Sequence, residues 1–213
     1  MKKFGACVLM VTVLLAGCSG GTDAVNETAS AQPPASSSPS VSDPTDAPLG
    51  LSPVTPDGGE AIEVLPGLTA TIPEGAVRDD SVDAQGSATT VTFRMAGTED
   101  GIPALQVASA GATSDSVAAE TWVQETAMTA NPTITSVHRS AEAWPGATEA
   151  VALAWDEAVA TVDGSTKDVE VLTLWLRDES SRTFKLTAIA PAGALESSSA
   201  YAALLTAQLS AQG

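Results

Sequence analysis

Thiol, imidazole and cationic side chains are almost missing from this chain. It has two cysteines in 213 residues, Cys7 and Cys18, and none after them. Beyond Cys18 there is no disulfide, no thiol nucleophile and no cysteine metal ligand, so that part of the chain must hold together by core packing alone. His138 is the only histidine, and without a His-Glu-x-x-His run or a cysteine pair no zinc site is expected. Lys and Arg together number 9 against 26 Asp and Glu, a net charge of −17. That balance excludes a nucleic-acid partner, whose binding requires neutralised phosphates. It also excludes a grip on anionic lipid through basic patches. No Gly-rich phosphate loop joins a strand to a helix, and no Gly-x-Ser-x-Gly elbow is present. The acidic clusters Asp79/Asp80/Asp83, Glu99/Asp100 and Asp163/Asp168 leave calcium open. "DGSTKD", however, lacks the spacing of a calcium loop and reads as a solvated turn. No cofactor and no catalytic set follow from the residues.

What the chain does have begins at its start. Lys2 and Lys3 precede the apolar run "FGACVLMVTVLLA", residues 4–16. A basic start followed by a short apolar core is the pattern of an export signal. The run is short for a bilayer span, which takes about 20 residues. It ends in Leu15-Ala16-Gly17-Cys18, which resembles the lipobox of bacterial lipoproteins. The resemblance implies that residues 1–17 are a signal peptide and that Cys18 carries a diacylglyceryl group on its sulfur and becomes the first mature residue. It further implies a protein lipid-anchored to the cell membrane at its extracytoplasmic face. Loss of Lys2 and Lys3 with the signal would take the net charge from −17 to −19.

Residues 18–59 are built from Ser, Pro, Thr, Gly, Ala and Asp with no aromatic side chain. Such a segment buries too little to offset the entropy of ordering, and is expected to be a disordered tether. As a coil of about 40 residues it would average roughly 35 Å end to end.

Residues 60–213 suit one domain. Strands are expected at 61–65 and 68–72 around the turn pair Pro66-Gly67, then at 89–95 and 104–110. A helix follows over 114–129, capped by Ser114 or Ser116 and stopped by Asn131-Pro132. Its spacing places Ala119, Trp122, Val123, Thr126 and Ala127 on one face. Further strands are expected at 133–141, 147–162, 168–177 and 182–190, with Asp163-Gly164 as a turn and 168–177 covered on both faces. A closing helix carries Tyr201, Leu204, Leu205 and Leu209 as its stripe. Strands, helix, strands, helix in this order give an α+β architecture, an antiparallel sheet flanked by helices.

Several stretches resemble the PsbP-like (Mog/PsbP) α/β/α sandwich of LpqN-type lipoproteins of actinobacteria. They are "LTATIPEGA", "VAAETWVQE", "WPGATEAVALAW" and "VLTLWLRDESSRTFKLTAIAP"; Ala76 stands where that group usually has a large aromatic residue. The resemblance covers about residues 60 to 210. It implies a non-catalytic binding or accessory protein and supplies no catalytic motif.

Two residues stand out for function. His138 lies in a strand pattern, where a lone histidine is more often hydrogen-bonded structure than a general base. Trp144 falls in a loop beside Pro145 and Gly146. It is either a recognition anchor, as tryptophan often is at interfaces, or a side chain folded back over the sheet edge. Three functions follow. The leading one is a tethered, non-catalytic module that binds an envelope protein or component, with the Trp144-Pro145-Gly146 loop as candidate contact. The second is a carrier of a small apolar ligand in a cavity between sheet and helix, lined by residues such as Trp122 and Leu205. The third is an envelope hydrolase built on His138.

Overall fold

The computed structural model describes residues 43–55, 58–82, 89–96, 101–112, 115–160 and 165–210. The lipobox and Cys18 lie outside them. In chain order the elements are β1 (Glu60–Leu65), β2 (Leu68–Ile72), β3 (Val77–Val82), β4 (Thr89–Arg94), β5 (Ala104–Ala112), α1 (Val117–Thr129), β6 (Ile134–Ala141), β7 (Glu149–Ala160), β8 (Thr166–Arg177), β9 (Arg182–Pro191), α2 (Ser199–Leu205) and β10 (Gln208–Leu209). Seven strands form one antiparallel sheet in the order β3-β4-β5-β9-β8-β7-β6. A second, three-stranded antiparallel sheet has the order β1-β2-β10. The architecture is α+β, an antiparallel sheet flanked by helices. Among the described residues no helix is long and apolar enough to cross a membrane.

Alternation along the strands decides which layer each face meets. Leu172, Leu174 and Leu176 of β8 share a face with Phe93, Leu105 and Leu186, and pack with Leu204 of α2 and Leu68 of β2 in the main core. Each such fully buried side chain contributes about 1.5–3 kcal/mol of transfer free energy. The opposite face carries Val171 and Trp175, which meet Met128 and Val117 of α1 in two smaller clusters. Residues 171–177 of β8 are buried on both faces, as expected of a covered strand. At the β1–β2 turn Gly67 has φ 87°. A side chain there would also run into the Arg182 guanidinium.

Four features depart from the sequence expectation. First, the tether does not run to Gly59: within residues 43–55, Asp46 and Ala47 meet β6 and the later residues bond to Glu142 and Leu205. The Asp46 carboxylate accepts from Arg139 N at 2.9 Å, and the Glu142 carboxylate accepts from Leu49 N at 2.7 Å and Leu51 N at 3.2 Å. Leu51 enters the main core and Val54 N donates to Leu205 O. One buried leucine and several charge-assisted hydrogen bonds are enough to order a segment whose composition reads as coil.

Second, α1 is capped by Ser116 but turned half a revolution from its expected face. Val117 and Thr121 are buried, whereas Trp122 and Val123 are 43% and 58% exposed. The cause lies on β6. The Arg139 guanidinium sits under the helix, its side chain 2% exposed, bonded to Glu125 at 2.6 Å and donating to Ala118 O at 3.3 Å. A buried guanidinium demands a carboxylate and carbonyls, and α1 meets that demand by turning a polar side inward.

Third, the closing helix ends at Leu205. Leu209 belongs instead to β10, opposite Leu68. Fourth, β3 was not expected, because "VRDDSV" has no apolar alternation. It is a charged edge strand held by its register with β4.

Candidate functional site

The end of the large sheet where β7 and β8 approach the loop before α2 holds a cleft of about 460 Å³. Its walls include Asp156, Glu170, Glu196, Trp155, Ser136 and Ser197. Asp156 and Glu170 stand directly opposite one another across the β7–β8 ladder. Like charges so placed repel. Glu170 relieves itself in part by accepting from Leu195 N at 3.1 Å, and that bond draws the Glu196 loop toward the ladder. Burial, and then the charges of Glu196 and Glu142, push the Tyr201 phenol of α2 above its ordinary value. Ser136, at a bulge in β6, has φ 55°. A serine held there is a local strain at the rim of the cleft.

The site can attract positive charge. Among the described residues no three metal-ligating side chains converge; an ammonium or guanidinium group is the kind of charge that two opposed carboxylates can hold by hydrogen bonds. Ser136 and Ser197 supply hydroxyls, and that of Ser197 donates to Ala194 O at 3.1 Å. His138 is committed elsewhere: its Nε2 lies 2.9 Å from Ala47 O and its Nδ1 3.6 Å from Asp46 Oδ2. A carbonyl can only accept, so Nε2 carries the proton there and has no lone pair to turn toward a serine.

The residues singled out in the sequence are dispersed. Trp144 is 5% exposed and packs in the main core; its Nε1 donates to Ala207 O at 3.2 Å. It is therefore not an exposed recognition anchor. Of the two alternatives the fold adopts the one in which the indole folds back, because an indole covers large apolar area and finds a carbonyl for its N–H. Pro145 and Gly146 stay exposed at the tip of the turn closed by Ala147 N to Trp144 O. Trp122 and Leu205 lie on opposite sides of the large sheet, so no cavity is lined by both. Asp79 and Asp80 sit on β3, where Asp80 pairs with Arg78 at 2.8 Å. Asp83, Glu99, Asp100 and the Asp163-Gly164 turn lie outside the described residues.

The carboxylates of the cleft carried a signal that the sequence reading passed over. Asp156 continues the inward phase of Ala150, Ala152 and Ala154, and Glu170 that of Leu172, Leu174 and Leu176. A charge in the core phase of a strand is buried, paired or used.

No protein-family model matches the chain, and no curated protein sequence matches it. Among solved structures it is similar to a point mutant of the protein Mog1, at 14% identity over 70% of this chain and 87% of that one, with a TM-score of 0.39. It is also similar to the Ran-binding protein Mog1p of Saccharomyces cerevisiae, at 12% identity over 71% of this chain and 95% of that one, with a TM-score of 0.42. No residue role is carried over from either.

Proposed function

We propose that this protein is a lipoprotein anchored through Cys18 at the extracytoplasmic face of the cell membrane, and that its PsbP-like domain is a non-catalytic binding module. The cleft at the end of β7 and β8 receives a basic segment of an envelope protein. One observation carries the reading of the cleft: two carboxylates are set opposite each other in a ladder, with a third in the facing loop, and no cation answers them among the cleft-lining residues. A fold that keeps such a repulsion gains when a lysine or arginine side chain enters. The lipobox and the apolar run before it support the address.

The test has two parts. Fractionation of cells expressing Cys18→Ala should find the chain in the soluble fraction, with the wild type in the membrane and an acyl mass on Cys18. A photo-crosslinking residue at Ser197 in the anchored wild type should give a defined adduct with an envelope protein. The combined Asp156→Asn and Glu170→Gln variant should lose that adduct at unchanged abundance. An adduct that survives both substitutions would refute the cleft as the binding site.

A further inference from the structure

The outward side of α1 is free of charge. With 3.6 residues per turn, Ala119, Trp122, Val123, Thr126 and Ala130 project away from Val117 and Thr121, the residues buried against the sheet. The Thr126 and Thr129 hydroxyls donate back to Trp122 O at 2.9 Å and Glu125 O at 2.8 Å. Their O–H donors are thus turned back onto the helix itself. Glu125 is drawn aside to Arg139, and Glu120, in the first turn, flanks the strip beside Val123. On a chain with net charge −17, a helix face that presents an indole, an isopropyl group and no ion is anomalous. Helices of soluble domains place this composition inward.

The path of the chain says what lies opposite. Asp46 caps the backbone N–H of Arg139, and the guanidinium of that same Arg139 holds Glu125 and the Ala118 carbonyl of α1. The segment arriving from Cys18 therefore meets the domain at the same residue whose side chain fixes α1. The 24 residues between Cys18 and Asp43 span at most about 85 Å however they are arranged. A lipid surface held so near meets α1 at high effective concentration, and weak insertion then suffices. Tryptophan is the side chain most suited to the headgroup level, with an apolar ring and an N–H that stays hydrated.

Resting on the anchoring reading, we infer that α1 docks on the bilayer through Trp122 and Val123, with a zwitterionic lipid surface as the occupant of its outward face. The helix lies along the surface rather than across it. The contact orients the domain, so that the acidic cleft has a fixed bearing relative to the membrane. The net negative charge selects against anionic lipid, and contact with it should weaken at low salt.

The test uses the full acylated chain in phosphatidylcholine vesicles, with and without brominated acyl chains. Bromine quenches only an indole that enters the lipid. Wild-type emission should fall in brominated vesicles, and the fall should vanish in Trp122→Phe. Val123→Glu, which keeps all four tryptophans, should reduce the quenching at least two-fold. Replacing a third of the lipid by phosphatidylglycerol should reduce it further at low salt and restore it at high salt. Equal quenching in Trp122→Phe, or none in the wild type, overturns the inference. So does concentration-dependent association of the chain through Trp122 without lipid, which would make a second copy the occupant. If Cys18 carries no acyl mass, the anchoring reading fails and this inference fails with it. If it is acylated and Trp122 remains unquenched, only this inference fails.

Discussion

The indole N–H of Trp144 donates to the carbonyl of Ala207 at 3.2 Å, joining the turn before β7 to the chain that leaves α2. Both residues are buried in the main core. Trp144→Ala would leave a cavity and an unpaired carbonyl, and should cost about 3–5 kcal/mol in denaturant unfolding. Trp144→Phe, which keeps most of the volume, should cost about half as much. A loss below 1 kcal/mol for the alanine variant would show that the turn carries no structural weight.

Glu142 pins the arriving segment by accepting from Leu49 N and Leu51 N, and from the Ser140 hydroxyl at 2.7 Å. Glu142→Ala removes the two oxygens that accept these three hydrogen bonds and should cost roughly 1–3 kcal/mol. Hydrogen exchange is the discriminating measurement: the amides of Leu49 and Leu51 should lose protection while those of β8 and β9 keep theirs.

Lys185 of β9 lies over the Trp175 ring, its Nζ 5.2 Å from the centroid. Burial lowers its pKa from 10.5 to about 8. The folded state therefore releases this proton before the unfolded state does. Between pH 8 and 10.5 the unfolded chain binds more protons at this group, so its contribution to stability rises with pH across that window. Lys185→Met should be more stable than the wild type at pH 7, by up to about 3 kcal/mol. The advantage should shrink toward zero at pH 10.5. A constant difference across that range would remove the cause assigned here.

Asp156 and Glu170 provide a fourth stability test, independent of any partner. Asp156→Asn removes the repulsion across the ladder and should raise stability by roughly 0.2–1 kcal/mol. Chemical denaturation at low and high salt should show the gain shrinking as salt screens the wild-type pair. A loss of stability would mean that Asp156 is held by favourable contacts instead.

The sheet was legible in the sequence because it is written with period two. The turn pair Pro66-Gly67, the strand over 168–177, covered on both faces from Val171 onward, and the stop at Asn131-Pro132 each act locally and appear where expected. What escaped the reading depends on partners far along the chain. The face of α1 is chosen by Arg139, ten residues beyond its last turn, and helical spacing alone pointed the wrong way. Residues 43–55 read as coil because their order comes from Glu142 and from one leucine. Trp144 was ambiguous for the same reason, since its acceptor is 63 positions away. The cleft was missed because its two opposed carboxylates come from different strands, and only the ladder register brings them face to face.

The segment stitched to β6 also bears on crowding. An open sheet edge invites strand addition by a neighbouring molecule. At one edge the Arg139 amide is already taken by Asp46. At the other, β3 presents Arg78, Asp79 and Asp80. Neither rim of the large sheet offers a clean template, so copies of the chain can crowd together without joining into a common sheet.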